Sequence, residues 1–162
     1  MPGSAAPLAD YAERIRAMFA AQPFMQSIGA GIVELARGSA VIELPHRPDL
    51  TQQHGYFHGG VTSAIADNAG GCAAYTLFPP RSEILTVEFK VNLLAPAAGE
   101  KLVAVGTVLR SGRTLTVCDL KVYAVAGGGR TLCAAGQQTL IRLGLAASGR
   151  RSSGLPHDGS NG

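Results

Sequence analysis

The sequence predicts an α+β domain in which an antiparallel sheet wraps around one central helix. Three observations predict it. Beyond Pro80 the apolar residues recur at every second position: Leu85, Val87, Phe89, Val91 and Leu93 alternate with Thr86, Glu88, Lys90 and Asn92, the period of a half-buried strand. Short turn signals, Ser111-Gly112-Arg113 and Gly127-Gly128-Gly129, join the strands that follow, and hairpin-length connections make such a run antiparallel. A long sheet must bury one face, and the one mostly apolar helix on offer runs from about Gly60 to Leu77. The sheet should therefore curl around it.

Taken in order, residues 1–7 are small and proline-containing and read as a flexible N-terminus. Leu8 to Ala21 carries Tyr11, Ile15, Met18 and Phe19 at helical spacing, giving an amphipathic helix. Ile28–Leu35 and Ala40–Leu44 flank Arg37-Gly38, the pattern of a hairpin. Pro45 and Pro48 open a loop that reaches Phe57, and Pro79-Pro80 ends the central helix. Four strands follow, at 85–93, 102–109, 114–125 and 131–143. Residues 146–162 lack apolar periodicity and read as a disordered tail. Residues 8–145 thus make a single domain.

Composition narrows the function classes. Of 162 residues, 46% are hydrophobic and 15% charged, below the usual ~25%, so another subunit is expected to cover part of the surface. A net charge of +3 is weak, and no Lys/Arg stripe interleaves with aromatics, which argues against nucleic acid. No run approaches the ~20 apolar residues of a membrane span. No basic stretch leads into an apolar one at the N-terminus, so a cytoplasmic location is expected. Cys72, Cys118 and Cys133 are odd in number and form no C-x-x-C, the pattern of buried free thiols in a reducing compartment.

Residues 54–67, His-Gly-Tyr-Phe-His-Gly-Gly-Val-Thr-Ser-Ala-Ile-Ala-Asp, carry the chemistry. Gly59 and Gly60 open a small-residue helix, where a ligand can approach the backbone and the unpaired N–H groups of the first turn can polarise a carbonyl. About two turns later Asp67 sits among Val61, Ala64, Ile65, Ala66 and Ala69. A carboxylate in so apolar a segment is costly unless it is paired or used. Asp67-Asn68 before Ala69-Gly70-Gly71 also admits a turn between two short helices, with Asp67 as a cap. His54 and His58 have the i, i+4 spacing of a zinc pair, but no third ligand follows at motif spacing, so no metal is expected. His58 reads as a residue that fixes the loop. Gly112-Arg113 reads as a plain turn, and Glu88 and Lys90 as a solvated or cross-strand pair. Nothing matches the Gly-x-Ser-x-Gly nucleophile elbow.

His58-Gly59-Gly60, with Asp67 nine residues after the histidine and Thr86-Val87-Glu88-Phe89 beyond the helix, resembles the PaaI-type acyl-CoA thioesterases, relatives of the 4-hydroxybenzoyl-CoA thioesterases. The resemblance covers roughly residues 25–143 and implies the hotdog fold. It implies that the Gly59 N–H polarises the thioester carbonyl and that Asp67 acts as nucleophile or general base. Gln52, with Gln53 as a near rival, would hold the attacking water or the thioester, and Thr86 would assist. Beside these, His58, Gly60 and Arg113 stand as candidate substrate-binding residues, with a grip on the coenzyme A phosphates as the alternative to a plain turn for Arg113. No cofactor is implied, coenzyme A being part of the substrate. The family also implies a homodimer or dimer of dimers whose sites each take the carboxylate and the glycine side from different subunits. Two other readings stand beside this one: a hotdog hydratase or dehydratase, and a non-catalytic acyl-CoA-binding module. Tyr56, Phe57, Tyr75 and Phe78 flank the motif and suit either an aromatic-acyl pocket or the core.

Overall fold

The computed structural model describes residues 8–143; the expected flexible start at 1–7 and tail at 146–162 lie outside the described residues. Two helices, α1 (Leu8–Ala20) and α2 (Pro23–Ile28), precede a hairpin of β1 (Gly31–Ala36) and β2 (Ser39–Pro45). A 3-10 turn at Pro48–Leu50 leads to α3 (Gly59–Tyr75), then β3 (Glu83–Leu93), β4 (Lys101–Ser111), β5 (Leu115–Ala126) and β6 (Gly129–Leu143). The strands form one antiparallel sheet in the order β1-β2-β4-β5-β6-β3. α3 contacts every one of them. This is the expected hotdog arrangement. Among the described residues no helix is long and apolar enough to cross a membrane.

Small residues bring helix and sheet together. Ile65, Ala66, Ala69 and Ala73 of α3 are fully buried against Ile42, Leu102, Ala104, Leu120 and Leu140. At Gly106 of β4 the two backbones touch: a Cβ there would lie 2.3 Å from the Ala69 carbonyl carbon and 2.5 Å from the Gly70 nitrogen. Only a residue without a side chain fits. Gly106→Ala should therefore lower stability by about 1–3 kcal/mol or more, the range of overpacked cores, as read from denaturant midpoints. A midpoint within error of wild type would mean that α3 is not seated on β4.

The end of α3 is tied down from several sides. The last carbonyls of a helix have no partners of their own, and Arg14 of α1 donates to Tyr75 O at 3.2 Å and Phe78 O at 3.1 Å. Thr76 donates to Ala73 O and accepts from the Gly38 N–H, both at 2.7 Å, linking the helix end to the β1–β2 turn. Tyr11, Ile15 and Phe19 bury the expected face of α1.

The structure refines the sequence reading in three places. The strand expected from Ile28 begins at Gly31, because Pro23 starts a short helix that buries Met25 and Ile28. Of the two readings of Asp67–Gly71, the continuous helix holds rather than the turn: α3 runs through the stretch, and Gly70 serves close packing. Finally, β3 does not join β4 as a hairpin. Residues 94–100 carry the chain across, and β3 pairs with β6 at the far side of the sheet, leaving its other edge unpaired.

Strand β3 also breaks the simple alternation. Thr86 and Leu93 stand seven apart and belong to opposite faces of a regular strand. Yet Thr86 bonds Asp67 and Leu93 packs at Gly59, both on α3. A bulge at Val87, where the register with β6 shifts, reverses the parity. The face expected to be buried is largely open: Leu85, Val87 and Leu93 are more than half exposed and Phe89 is 46% exposed. The polar positions are modest. Glu88 accepts from Thr139 on β6, and Lys90 donates to Asn92.

Candidate active site

The start of α3 is built by His58. Its main chain adopts φ −65° and ψ 138°, and its Nδ1 accepts from the Gly60 N–H at 2.9 Å, a side-chain N-cap. Its own N–H donates to Leu50 O, and its carbonyl receives Thr62 N–H and Oγ1–H. An accepting Nδ1 makes the ring neutral there, with its proton on Nε2. His58 thus holds the loop, and the Gly60 amide is spent on it. The Gly59 N–H has no acceptor among the described residues. It points from the positive end of α3.

Gln52 comes to the same place. Its Oε1 accepts from the His54 N–H within the loop, and with Gln53, Tyr56, His58 and Gly59 it lines a cavity of about 540 Å³. Phe57 and Phe78 are core residues, whereas Tyr56 is 39% exposed at this cavity. Tyr75 donates to Ser82 O.

Asp67 lies elsewhere. Its Oδ1 accepts from Thr86 Oγ1 at 2.8 Å and from Gln138 Nε2, and it lines a second cavity of about 230 Å³ with Met18, Gln22, Ile84 and Leu140. Burial raises the Asp67 pKa above the usual carboxylate value, and the bonds from Thr86 and Gln138 pull it part of the way back. Eight residues separate Gly59 from Asp67, about 12 Å along a helix at 1.5 Å per residue. Reacting atoms must approach to roughly 3–3.5 Å. One chain cannot bring both to a single carbonyl.

Arg113 stands exposed in the β4–β5 turn and lines neither cavity. The three cysteines are buried free thiols. Burial pushes Cys72 and Cys118 up to about 12, far from a thiolate nucleophile at neutral pH. No group of three or more His, Cys, Asp or Glu side chains is placed to hold a metal ion among the described residues.

Comparison with known proteins gives the family. A model of the Thioesterase superfamily matches residues 54–130. The crystal structure of a thioesterase family protein from Silicibacter pomeroyi is 42% identical, with a TM-score of 0.81 over 82% of this chain and 98% of that one. The chain belongs to the thioesterase superfamily. Membership places it among thioester hydrolases. The structure of the PaaI protein from the E. coli phenylacetic acid degradation operon, 22% identical over 85% of this chain and 97% of its own, shares the thioesterase fold with a TM-score of 0.74. A 1,4-dihydroxy-2-naphthoyl-CoA hydrolase of Listeria monocytogenes is 28% identical over 97 residues, 60% of this chain and 79% of its own length. An esterase-like protein of Saccharolobus solfataricus is 33% identical over 90 residues, 56% of this chain, and the match spans 64% of that relative's length.

The segment matched to the thioesterase superfamily holds His58, Gly59, Gly60, Asp67, Thr86 and Arg113, and leaves out Gln52 and Gln138. Gln138 is the residue that the sequence reading passed over. It is 1% exposed and touches Asp67 and Thr86 directly. A signal existed: along β6 it shares the inward parity of Ala134, Gly136 and Leu140. A polar side chain on that parity is a buried one that needs a purpose.

Proposed function

We propose that this thioesterase hydrolyses acyl-CoA thioesters at sites shared by two copies of the chain. The separation of the free Gly59 N–H from the buried Asp67 carboxylate by about 12 Å of helix carries this reading, because both groups suit thioester hydrolysis and neither completes a site alone. The unpaired edge of β3 with its open apolar side chains Val87, Phe89 and Leu93 offers a two-fold seam. Antiparallel pairing of β3 with its copy would lay the two α3 helices in opposite directions, Gly59 of each facing the partner's Asp67.

In that site the Gly59 N–H and the dipole of α3 stabilise negative charge on the thioester oxygen. The partner's Asp67, ionised, takes a proton from the attacking water as the thiolate of coenzyme A departs, or attacks the carbonyl carbon itself, displacing the thiolate, after which water opens the acyl-aspartyl anhydride and frees the acid. Gln52 holds the water or the thioester, and Thr86 steadies the carboxylate. The chemistry draws on protein groups alone, with coenzyme A entering as part of the substrate. The Listeria relative, by its name, acts on an aromatic acyl-CoA, and Tyr56 at the larger cavity is a ring suited to such an acyl group. A hydratase reading has less to support it, since the His58 ring nitrogen nearest the helix is committed to Gly60.

The purified protein should release free thiol from at least one of a panel of aryl-, short- and long-chain acyl-CoAs, in the presence of a chelator. Binding without release across the whole panel would favour a non-catalytic module and sink the proposal.

A further inference from the structure

Gln138 reaches Asp67 through a gap left by a missing side chain. A Cβ on Gly70 would lie 1.9 Å from Gln138 Oε1, so the glycine is the space that the amide occupies. From there Nε2 stands 3.1 Å from the Asp67 carbonyl oxygen, 2.9 Å from Thr86 Oγ1 and in contact with Asp67 Oδ1. Two of these three atoms can only accept while Asp67 is ionised. The opposite orientation of the amide would set Oε1 against a carbonyl and a carboxylate, so the –NH2 end must face Asp67. Thr86 Oγ1 donates a hydrogen bond to Asp67 Oδ1 and shares the two Gln138 N–H groups with Asp67, closing a triangle of side chains.

Both donors end on the same oxygen. Asp67 Oδ1 receives Thr86 and Gln138, while Oδ2 has no partner among the described residues. The far end of the amide is equally telling: Gln138 Oε1 is buried without a hydrogen bond. Proteins seldom leave such an atom unpaired, and here the amide accepts that condition to keep its donors on Asp67.

We propose that Gln138 is a positioning residue that locks the Asp67 carboxylate through Oδ1 and leaves Oδ2 as the oxygen that reacts. This rests on the reading of Asp67 as the base or nucleophile. The lock fixes the carboxylate plane, and reacting groups must be held within about 10–20° of the productive geometry. It also makes Oδ1 the poorer base, since its lone pairs are engaged, and leaves those of Oδ2 for the water proton or the carbonyl carbon.

The groups packed around Asp67 let this be read in a titration. Met18 faces the cavity from α1, Gln22 from the link into α2, Ile84 and Thr86 from β3, and Leu140 from β6. The titratable neighbours are Cys72 on the same helix and Cys118, which pairs with Gln138 across β5 and β6, and both thiols stay protonated up to about 12. No Arg, Lys or His lines this cavity. A shift in the Asp67 titration therefore reports the loss of a donor.

The test compares Gln138→Met, which keeps the length and loses the donor, with wild type and with Asp67→Asn. Gln138→Met should lower kcat about tenfold, the scale of one hydrogen bond to a charged group, with KM little changed. Losing a donor to the carboxylate raises its pKa, so the acid limb of the kcat–pH profile should move to higher pH. An NMR titration of the Asp67 carboxyl carbon should move the same way, and it reads the lock even if no acyl-CoA is turned over. Gln138→Glu, of equal length, can donate to Asp67 only while protonated and should raise the Asp67 midpoint too. It carries the test should the Met variant not fold. An unmoved Asp67 midpoint in a folded variant overturns the proposal. The expected movement of the Asp67 midpoint, with no hydrolysis by any protein, would instead overturn the reading of the reaction and leave the lock standing.

Discussion

Asp67→Asn should lower kcat by at least ~100-fold, the low end of general-base effects, while raising the melting temperature at neutral pH. The two effects share one cause. Burial lifts the Asp67 pKa in the folded chain above its ordinary value, so the folded state holds the proton more tightly than the unfolded one. Stability from the protonated carboxyl is complete below the unfolded pKa and is lost as pH rises through the raised folded pKa. At neutral pH the ionised carboxylate is therefore a cost that the fold carries. Asn keeps an oxygen for Thr86 and Gln138 and removes the charge. The gain in melting temperature should shrink as the pH is lowered and Asp67 takes up its proton. A variant that turns over at near-native rate would show that the carboxylate is not used, and one that is less stable at pH 7 would show that burial is not what raises its pKa. A residue that weakens its own fold and sits at the end of a cavity is best understood as kept for chemistry.

The large elements were legible because each rests on a local pattern. Two-residue alternation marks β3 to β6, and the small residues of α3 mark the helix that a backbone can approach, as Gly106 does. The glycine pair and Asp67 stand out because their residue types are expensive in a helix unless something requires them. What escaped was non-local. Nothing in residues 83–93 states that their partner is β6, fifty residues away, rather than β4 next in the chain. The six residues of α2 are too few to show a helical period. The bulge at Val87 is a shift of register with β6, invisible to a count along one strand, and it carries Thr86 to Asp67 while Leu93 still reaches Gly59. Gln138 was hidden for the same reason. Beside the exposed Gln137 it reads as polar strand surface, and only the fold of β6 over Gly70 turns it inward.

Mixing two inactive variants, Gly59→Pro and Asp67→Asn, should restore about a quarter of native activity if each site draws on two chains. Gly59→Pro is suited to this because it deletes one N–H with little else. Gly59 is the first residue of α3, the position where proline is tolerated in a helix. His58 before it has φ −65° and ψ 138°, the extended backbone that a following proline requires. A Cβ at 59 would meet only Leu93 Cδ1, at 3.0 Å, the far end of a flexible side chain. The variant should fold and lose about 10²–10³-fold in kcat, as when one oxyanion donor is removed; Gly59→Ala, which keeps the N–H, should lose far less. In a dimer of the two variants, one site then collects both lesions, and the other takes the intact Gly59 of one chain and the intact Asp67 of the other. After random exchange of equal amounts, half of the dimers are mixed and each has one sound site of two, which gives the quarter by counting over a two-fold assembly. Were Gly59 and Asp67 to act within one chain, every site would keep one lesion and mixing would restore nothing. Verified exchange without recovery would thus end the shared-site reading, whereas recovery near a quarter would make the pair of chains the catalytic unit and place the thioester between Gly59 of one and Asp67 of the other.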